Sequence, residues 1–190
     1  MKICKLFSAA ILSAAITGCL TSTDPAVNRW PLEYTGATNP ASSAATYGVV
    51  RVSQTVVRAP FDGATIAVLR ANGTIAFDAY NEFAAAPSQI LHGAIFDALN
   101  SCGKFSAVIG GASVVKADCS VEILLTHLAL DCRKEGERTA QVKLVLRLVK
   151  DRGVEKCVYA NGAVSAADGD YGRAFSQAVS MAINDALNAL

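Results

Sequence analysis

Three long runs of alternating residues dictate how this chain folds. Cys119 to Leu130, Thr139 to Val149 and Glu155 to Val164 read as strands, with charged turns between them at 133–138 and 151–153. In the middle run Val142, Leu144, Leu146 and Leu148 alternate with Lys143, Val145, Arg147 and Val149. A period of two sends one set to a buried face and the other to a wetter one. Sequential strands joined by short turns pair antiparallel, so the runs predict a three-stranded meander with one face to be covered. A cover follows directly. From Tyr171 to Leu190 the residues Phe175, Val179, Ile183 and Leu187 recur every four positions, beside Ala174, Ala178, Ala182 and Ala186. That spacing makes one apolar stripe on a helix.

The region before the meander alternates in the same way. Val50, Val52 and Val56 suggest a strand ending near Arg58, and Ala59-Pro60-Phe61-Asp62-Gly63 is a turn signal. Ile66, Val68 and Arg70 lead into Asn72-Gly73, a strong hairpin dipeptide, with the chain returning over Thr74 to Asp78. Tyr80 to Ala86 reads as a connection. Pro87 suits the first turn of a helix, where its missing N–H needs no partner. Ile90, Leu91, Ala94, Ile95, Ala98 and Leu99 share one face of that helix, and Gly103 stops it. Lys104 to Ile109 gives another short strand before a Gly110-Gly111 loop. The order predicts an α+β domain over 47–190: a two-layer sandwich, mainly antiparallel sheet, with two helices packed on one face.

The N-terminus carries a different signal. Lys2 and Lys5 precede an apolar run from Leu6 to Ile16, too short to span a bilayer but suited to a signal peptide. The run closes on Ile16-Thr17-Gly18-Cys19, which resembles a bacterial lipobox. Residues 1–18 are then a removed signal, and Cys19 becomes an N-terminus carrying acyl chains such as palmitate. Several chains together hold a protein at a membrane almost permanently. Leu20, where aspartate would favour the inner membrane, points to the outer membrane and a domain facing the periplasm. Residues 19–46 contain Pro25, Pro31 and Pro40 among Thr, Ser, Ala and Asn, and read as a flexible tether. Fully extended, its 27 residues beyond Cys19 reach at most ~90 Å. Trp30 and Tyr34 are unusual in a linker and suggest docking on the domain or a partner.

The near balance of 17 basic and 16 acidic residues, with no basic stripe, argues against a nucleic-acid binder. Four cysteines follow the tether, an even number that in an exported chain suggests two disulfides. Cys102 ends the first helix and Cys119 opens a strand in phase with Val121, Ile123 and Leu125, so the two are expected to pair. Cys132 with Cys157 follows by elimination. No C-x-x-C, G-x-S-x-G, H-E-x-x-H, Walker A or G-x-G-x-x-G pattern occurs. His92 and His127 have no nucleophile beside them in sequence. Asp78 and Glu82 read as solvated carboxylates around a turn, and Asp168 and Asp170 as a helix cap. The chain is expected to have no catalytic residue, metal or cofactor.

The order of short blocks after the tether is more specific. Val49-Val50-Arg51-Val52, Ala59-Pro60-Phe61-Asp62, Tyr80-Asn81-Glu82-Phe83-Ala84, Pro87-Ser88-Gln89-Ile90-Leu91 and Ala98-Leu99-Asn100-Ser101-Cys102-Gly103-Lys104-Phe105 together resemble the PqiC-like auxiliary lipoproteins of ABC-type transport systems. Those proteins are associated with membrane integrity and MCE-type lipid transport. The likeness runs from Val49 to Leu190, and Phe83 departs from it, since the family usually carries tryptophan there. The resemblance implies a non-catalytic accessory, partnered by an MCE-domain protein and its ABC permease and ATPase, with phospholipid and further copies of itself as other partners. Phe61, Tyr80 and Phe83 then become candidates for partner or lipid contact, or for packing the hairpin on the first helix. The competing expectation is a structural envelope lipoprotein that scaffolds an assembly without handling lipid.

Overall fold

The strands are β1 (Asn28–Trp30), β2 (Tyr47–Val52), β3 (Val56–Val57), β4 (Thr65–Arg70), β5 (Ile75–Phe83), β6 (Phe105–Gly110), β7 (Cys119–Cys132), β8 (Thr139–Lys150) and β9 (Gly153–Ser165). The helices are α1 (Pro87–Ser101), between β5 and β6, and α2 (Tyr171–Ala189), after β9. This computed structural model describes residues 26–36, 45–151 and 153–190, so the signal segment and Cys19 lie outside it.

β7 organises the sheet. One edge pairs antiparallel with β8 from Ser120–Val149 to Asp131–Thr139, interrupted between Leu125 and His127. β8 pairs in turn with β9, which completes the meander expected from the alternation. The other edge of β7 is shared by three parallel strands: β2 against Cys119–Val121, β3 against Leu124–Leu125 and β4 against Ala129–Cys132. β6 extends the sheet beyond β2 in parallel, and β5 pairs antiparallel with β4. The fold is therefore α+β, with an open nine-stranded mixed sheet whose pairing is mostly antiparallel through the long meander. β5 continues through Phe83 where a connection was expected, and Gly73, at φ +80°, makes the turn before it.

Alanines on one side of α2 let it approach the sheet closely. Its stripe of Phe175, Val179, Ile183 and Leu187 is buried and packs on β8 and β9, over Val142, Leu144, Leu146 and Leu148. α1 buries Leu91, Ile95 and Leu99, lies against β6 and touches α2. All of these side chains belong to one continuous apolar core.

Part of the stretch read as tether is docked. β1 pairs in parallel with Asn81–Phe83 of β5. Trp30 sets its ring edge-on to Tyr171 at 6.4 Å, and Leu32 is buried. Two buried serines on α2 hold the following residues: Ser176 Oγ accepts the Glu33 N–H at 3.0 Å, and Ser180 Oγ the Thr35 N–H at 2.8 Å. Tyr34 donates its hydroxyl to Asn184 at 2.7 Å. Trp30 and Tyr34 thus dock on their own domain. The serines interrupt the apolar pattern of α2 because a backbone strap crosses there and needs acceptors.

Candidate functional site: a cation-rimmed groove

With α2 covering one face of the meander, the opposite face is built from the wetter set of alternating residues. The strand register aligns them in three rows across β7, β8 and β9: Glu122–Arg147–Cys157, Leu124–Val145–Tyr159 and His127–Lys143–Asn161. β3 and its flanks form a wall beside them. The result is a groove of two adjoining hollows, of about 620 and 510 Å³, which share Leu124, Val145 and Arg147.

The groove has an apolar floor and a cationic rim. Leu124 and Val145 form the floor, with Tyr159 (77% exposed) and Val56 (59% exposed) standing at its sides. Arg58, Lys143 and Arg147 line it as exposed cations. Arg147 lies 3.8 Å from Glu122, a loose and exposed pairing that contributes little. Such a surface suits a ligand or partner that is apolar along one side and anionic at one end.

Neither histidine is hydrogen-bonded to a nucleophile among the described residues. His127 lies beneath Phe61, ring centroids 4.8 Å apart, and its Nε2 has no hydrogen-bond partner. Burial, aided by the Lys143 charge, holds its pKa below the ordinary value of 6.5, so the imidazole is neutral at neutral pH. His92 lines a smaller hollow of about 360 Å³ with Ser88, Gln89 and Gln54, and its Nδ1 is also unpartnered. Asp78 accepts the Tyr80 N–H at 2.8 Å and the Asn81 amide at 3.0 Å, while Glu82 pairs with Arg29 at 2.6 Å. These two carboxylates support local structure. Asp170 stands at the N-cap of α2 without a capping hydrogen bond and pairs with Arg173, while Asp168 pairs with Arg138.

The aromatic candidates are not gathered into one surface. Phe61 is buried over His127, and Phe83 is buried edge-on to Phe175 at 5.2 Å. Only Tyr80, 54% exposed, is free to meet a partner. The blocks that resemble the family thus supply framework rather than a cluster of contact residues.

The cysteines require a correction. Cys102, Cys119, Cys132 and Cys157 are all free thiols. Cys102 caps α1 with its Sγ 3.2 Å from the Leu99 carbonyl, whereas Cys119 turns its Sγ toward the Val49 carbonyl at 3.9 Å. β2 lies between β7 and β6, the strand that follows Cys102. Positions level with one another on β7 and β6 are two inter-strand spacings, ~9.6 Å, apart, wider than a disulfide spans. Cys157 stands opposite Arg147, itself opposite Glu122, so Cys132 is ten residues further along β7, or ~33 Å away.

Arg51 has a role that no local sequence signal announces. It sits in the first family-like block, and its guanidinium donates to the carbonyls of Gly110, Gly111, Ser113 and Val115 at 2.6–3.3 Å. It organises the loop between β6 and β7. The groove cations had a readable signal, since Lys143 and Arg147 already alternate with the buried leucines of β8. Arg58 had none, because its place depends on β3 crossing beside β7.

No family model matches this chain, and no curated protein matches it significantly. Solved structures do share its fold. Protein XCC0632 from Xanthomonas campestris, of family DUF330, superposes with a TM-score of 0.73 at 17% identity, over 85% of this chain and 93% of that one. A structure described only as an uncharacterized protein gives 0.56 at 8% identity, over 85% and 98%. The hypothetical protein CT253 from Chlamydia trachomatis gives 0.51 at 11% identity, over 75% and 92%. At these identities the likeness is one of fold.

Proposed function

We propose that this chain is a lipid-anchored envelope protein, held at the outer membrane and facing the periplasm. In this reading it serves an ABC/MCE-type lipid-transport system as a non-catalytic accessory. One observation carries the reading: the ordered blocks that resemble PqiC-like lipoproteins lie along a fold shared with a DUF330 protein over nearly the whole domain. The lipobox-like Cys19 supplies the anchor. The energy for transport comes from the ATPase of the system, and this domain contributes position and surface. Its working surface is the groove, where an apolar floor beside Arg58, Lys143 and Arg147 suits a phospholipid or an acidic, apolar segment of an MCE-domain protein.

Co-isolation tests the proposal. The full-length protein is extracted from its own envelope in mild detergent after cross-linking, and its partners are identified by mass spectrometry. An MCE-domain protein and an ABC permease are expected. Acylated, intact protein that brings down other envelope components but neither of these would replace the transport reading with the scaffolding one.

A further inference from the structure

We propose that the outer edge of β5 is a membrane-contact surface on which the domain rests against the leaflet that holds its acyl chains. This rests on the lipid-anchor reading given above. Ten large hydrophobic side chains are exposed among the described residues, and four of them lie along this edge: Val27 (44%), Ile75 (41%), Phe77 (53%) and Tyr80 (54%). The inner edge of β5 pairs with β4, whereas β1 covers the outer edge only at Asn81–Phe83. One step back from the Asn28–Asn81 pair brings Val27 alongside Tyr80. Ile75 and Phe77, two apart on the strand, extend the patch along the unpaired stretch.

The length of chain before β1 identifies the occupant. β1 and the strap after it are fixed to the domain, so the connector from the anchor ends at Val27 instead of Thr46. Eight residue steps separate Cys19 from Val27, a reach of at most ~29 Å against the ~90 Å of a tether running to Thr46. The acyl chains hold Cys19 at the lipid surface, and Val27 sits on the apolar edge itself. A bilayer surface is therefore always within reach of this edge, at a local concentration that no free partner matches.

The charges nearby agree with that placement. Glu82 is paired with Arg29, and the Asp78 carboxylate already accepts two hydrogen bonds, so contact with the interface strands no unpaired carboxylate. Tyr80 is a residue type that settles at the headgroup boundary, with its ring inward and its hydroxyl outward, and Phe77 adds an apolar ring of the kind that interfacial elements bury.

Brominated lipids provide the test. Trp30 is the sole tryptophan of the chain, so a Trp30→Phe background carrying either Phe77→Trp or Met181→Trp reports one position at a time. Each full-length lipidated protein is reconstituted into phosphatidylcholine–phosphatidylglycerol vesicles with and without brominated acyl chains. The Phe77→Trp protein is expected to lose about half of its emission, as a side chain seated at the headgroup boundary should, and the Met181→Trp protein, with its reporter exposed on α2 away from the groove, almost none. Equal quenching of the two, in protein whose mass shows an acylated Cys19, overturns the contact surface and leaves the anchor standing. A mature N-terminus without acyl chains overturns the anchor, and the surface with it. Should the Trp30→Phe background not fold, amide exchange of residues 75–80 in the unaltered protein decides. Exchange about tenfold slower in vesicles than in detergent supports the surface. Unchanged exchange, or protection that rises with protein concentration in detergent as strand pairing between copies would give, overturns it.

Discussion

Gly162 of β9 and Ala178 of α2 meet backbone to backbone, so closely that a methyl group on Gly162 would overlap the Ala178 carbonyl oxygen. The absence of a side chain at 162 and the small side chains of α2 together set the spacing of helix and sheet. Gly162→Ala is expected to destabilise the domain by about 1–3 kcal/mol, as overpacking does when backbone must yield. Gly63→Ala, where a methyl group meets nothing within 4 Å, is the control. Urea unfolding of both variants checks this, and equal midpoints would show that the helix shifts at no cost.

Arg51 is the clasp of the loop between β6 and β7. Replacing it by methionine keeps the aliphatic stem and leaves four carbonyls without their donor. A loss of about 1–3 kcal/mol is expected for hydrogen bonds from a charged group, with faster amide exchange confined to residues 110–117. Arg51→Lys should recover only part of this, because one ammonium lacks the planar fork that reaches several acceptors at once.

How far the sequence revealed the fold depended on how local each signal was. The β7–β9 meander and both helices could be read because alternation and the four-residue stripe are properties of contiguous residues. Asn72-Gly73 announced its hairpin for the same reason. The parallel strands could not be read in this way. β3 has only two residues, and whether β2, β3 and β4 share one edge of β7 depends on long-range competition for that edge. The docking of this segment was hidden because Asn28–Trp30 is short and pairs with Asn81–Phe83, 53 residues on, and the acceptors of the strap after it, Ser176 for Glu33 and Ser180 for Thr35, lie more than 140 residues away. The groove was half visible: Lys143 and Arg147 mark the wetter face of β8, but nothing local brings Arg58 beside them. The state of the cysteines was not legible because it depends on strand order, with β2 inserted between β7 and β6, which no contiguous run of residues announces.

Asp131 gives a pH signature. Its carboxylate accepts from Arg133 Nε at 2.9 Å, Arg133 Nη2 at 2.6 Å and Gln141 at 2.8 Å. The Arg133 hydrogen bonds in particular lower its pKa from 3.8 to about 2. A carboxylate whose pKa falls on folding adds stability that is complete above its unfolded pKa and is lost as pH drops toward the folded one. The stability difference between the parent and Asp131→Asn should thus be constant above about pH 5 and close between pH 4 and 2. Denaturation midpoints measured across that range check it, and a difference independent of pH would show that the hydrogen bonds do not act through charge.

The free thiols are directly measurable. Alkylation in denaturant without reductant should label Cys102, Cys119, Cys132 and Cys157 completely. In the native state Cys157, exposed on β9, should react first and Cys119 last, since burial shields the Cys119 thiol and raises its pKa. A Cys102–Cys119 or Cys132–Cys157 peptide in a non-reducing map would mean that the strands lie in a different order.

The most direct measurement of the transport role places a photo-cross-linking residue at Tyr159, in the groove, or at Met181, which is 50% exposed on α2. Both are carried in full-length acylated protein in native membranes. Cross-links to an MCE-domain protein or to phospholipid from position 159, and not from 181, are the expected result. Cross-links to neither from position 159, with the protein folded and acylated, would contradict the groove as the working surface of a lipid-transport accessory.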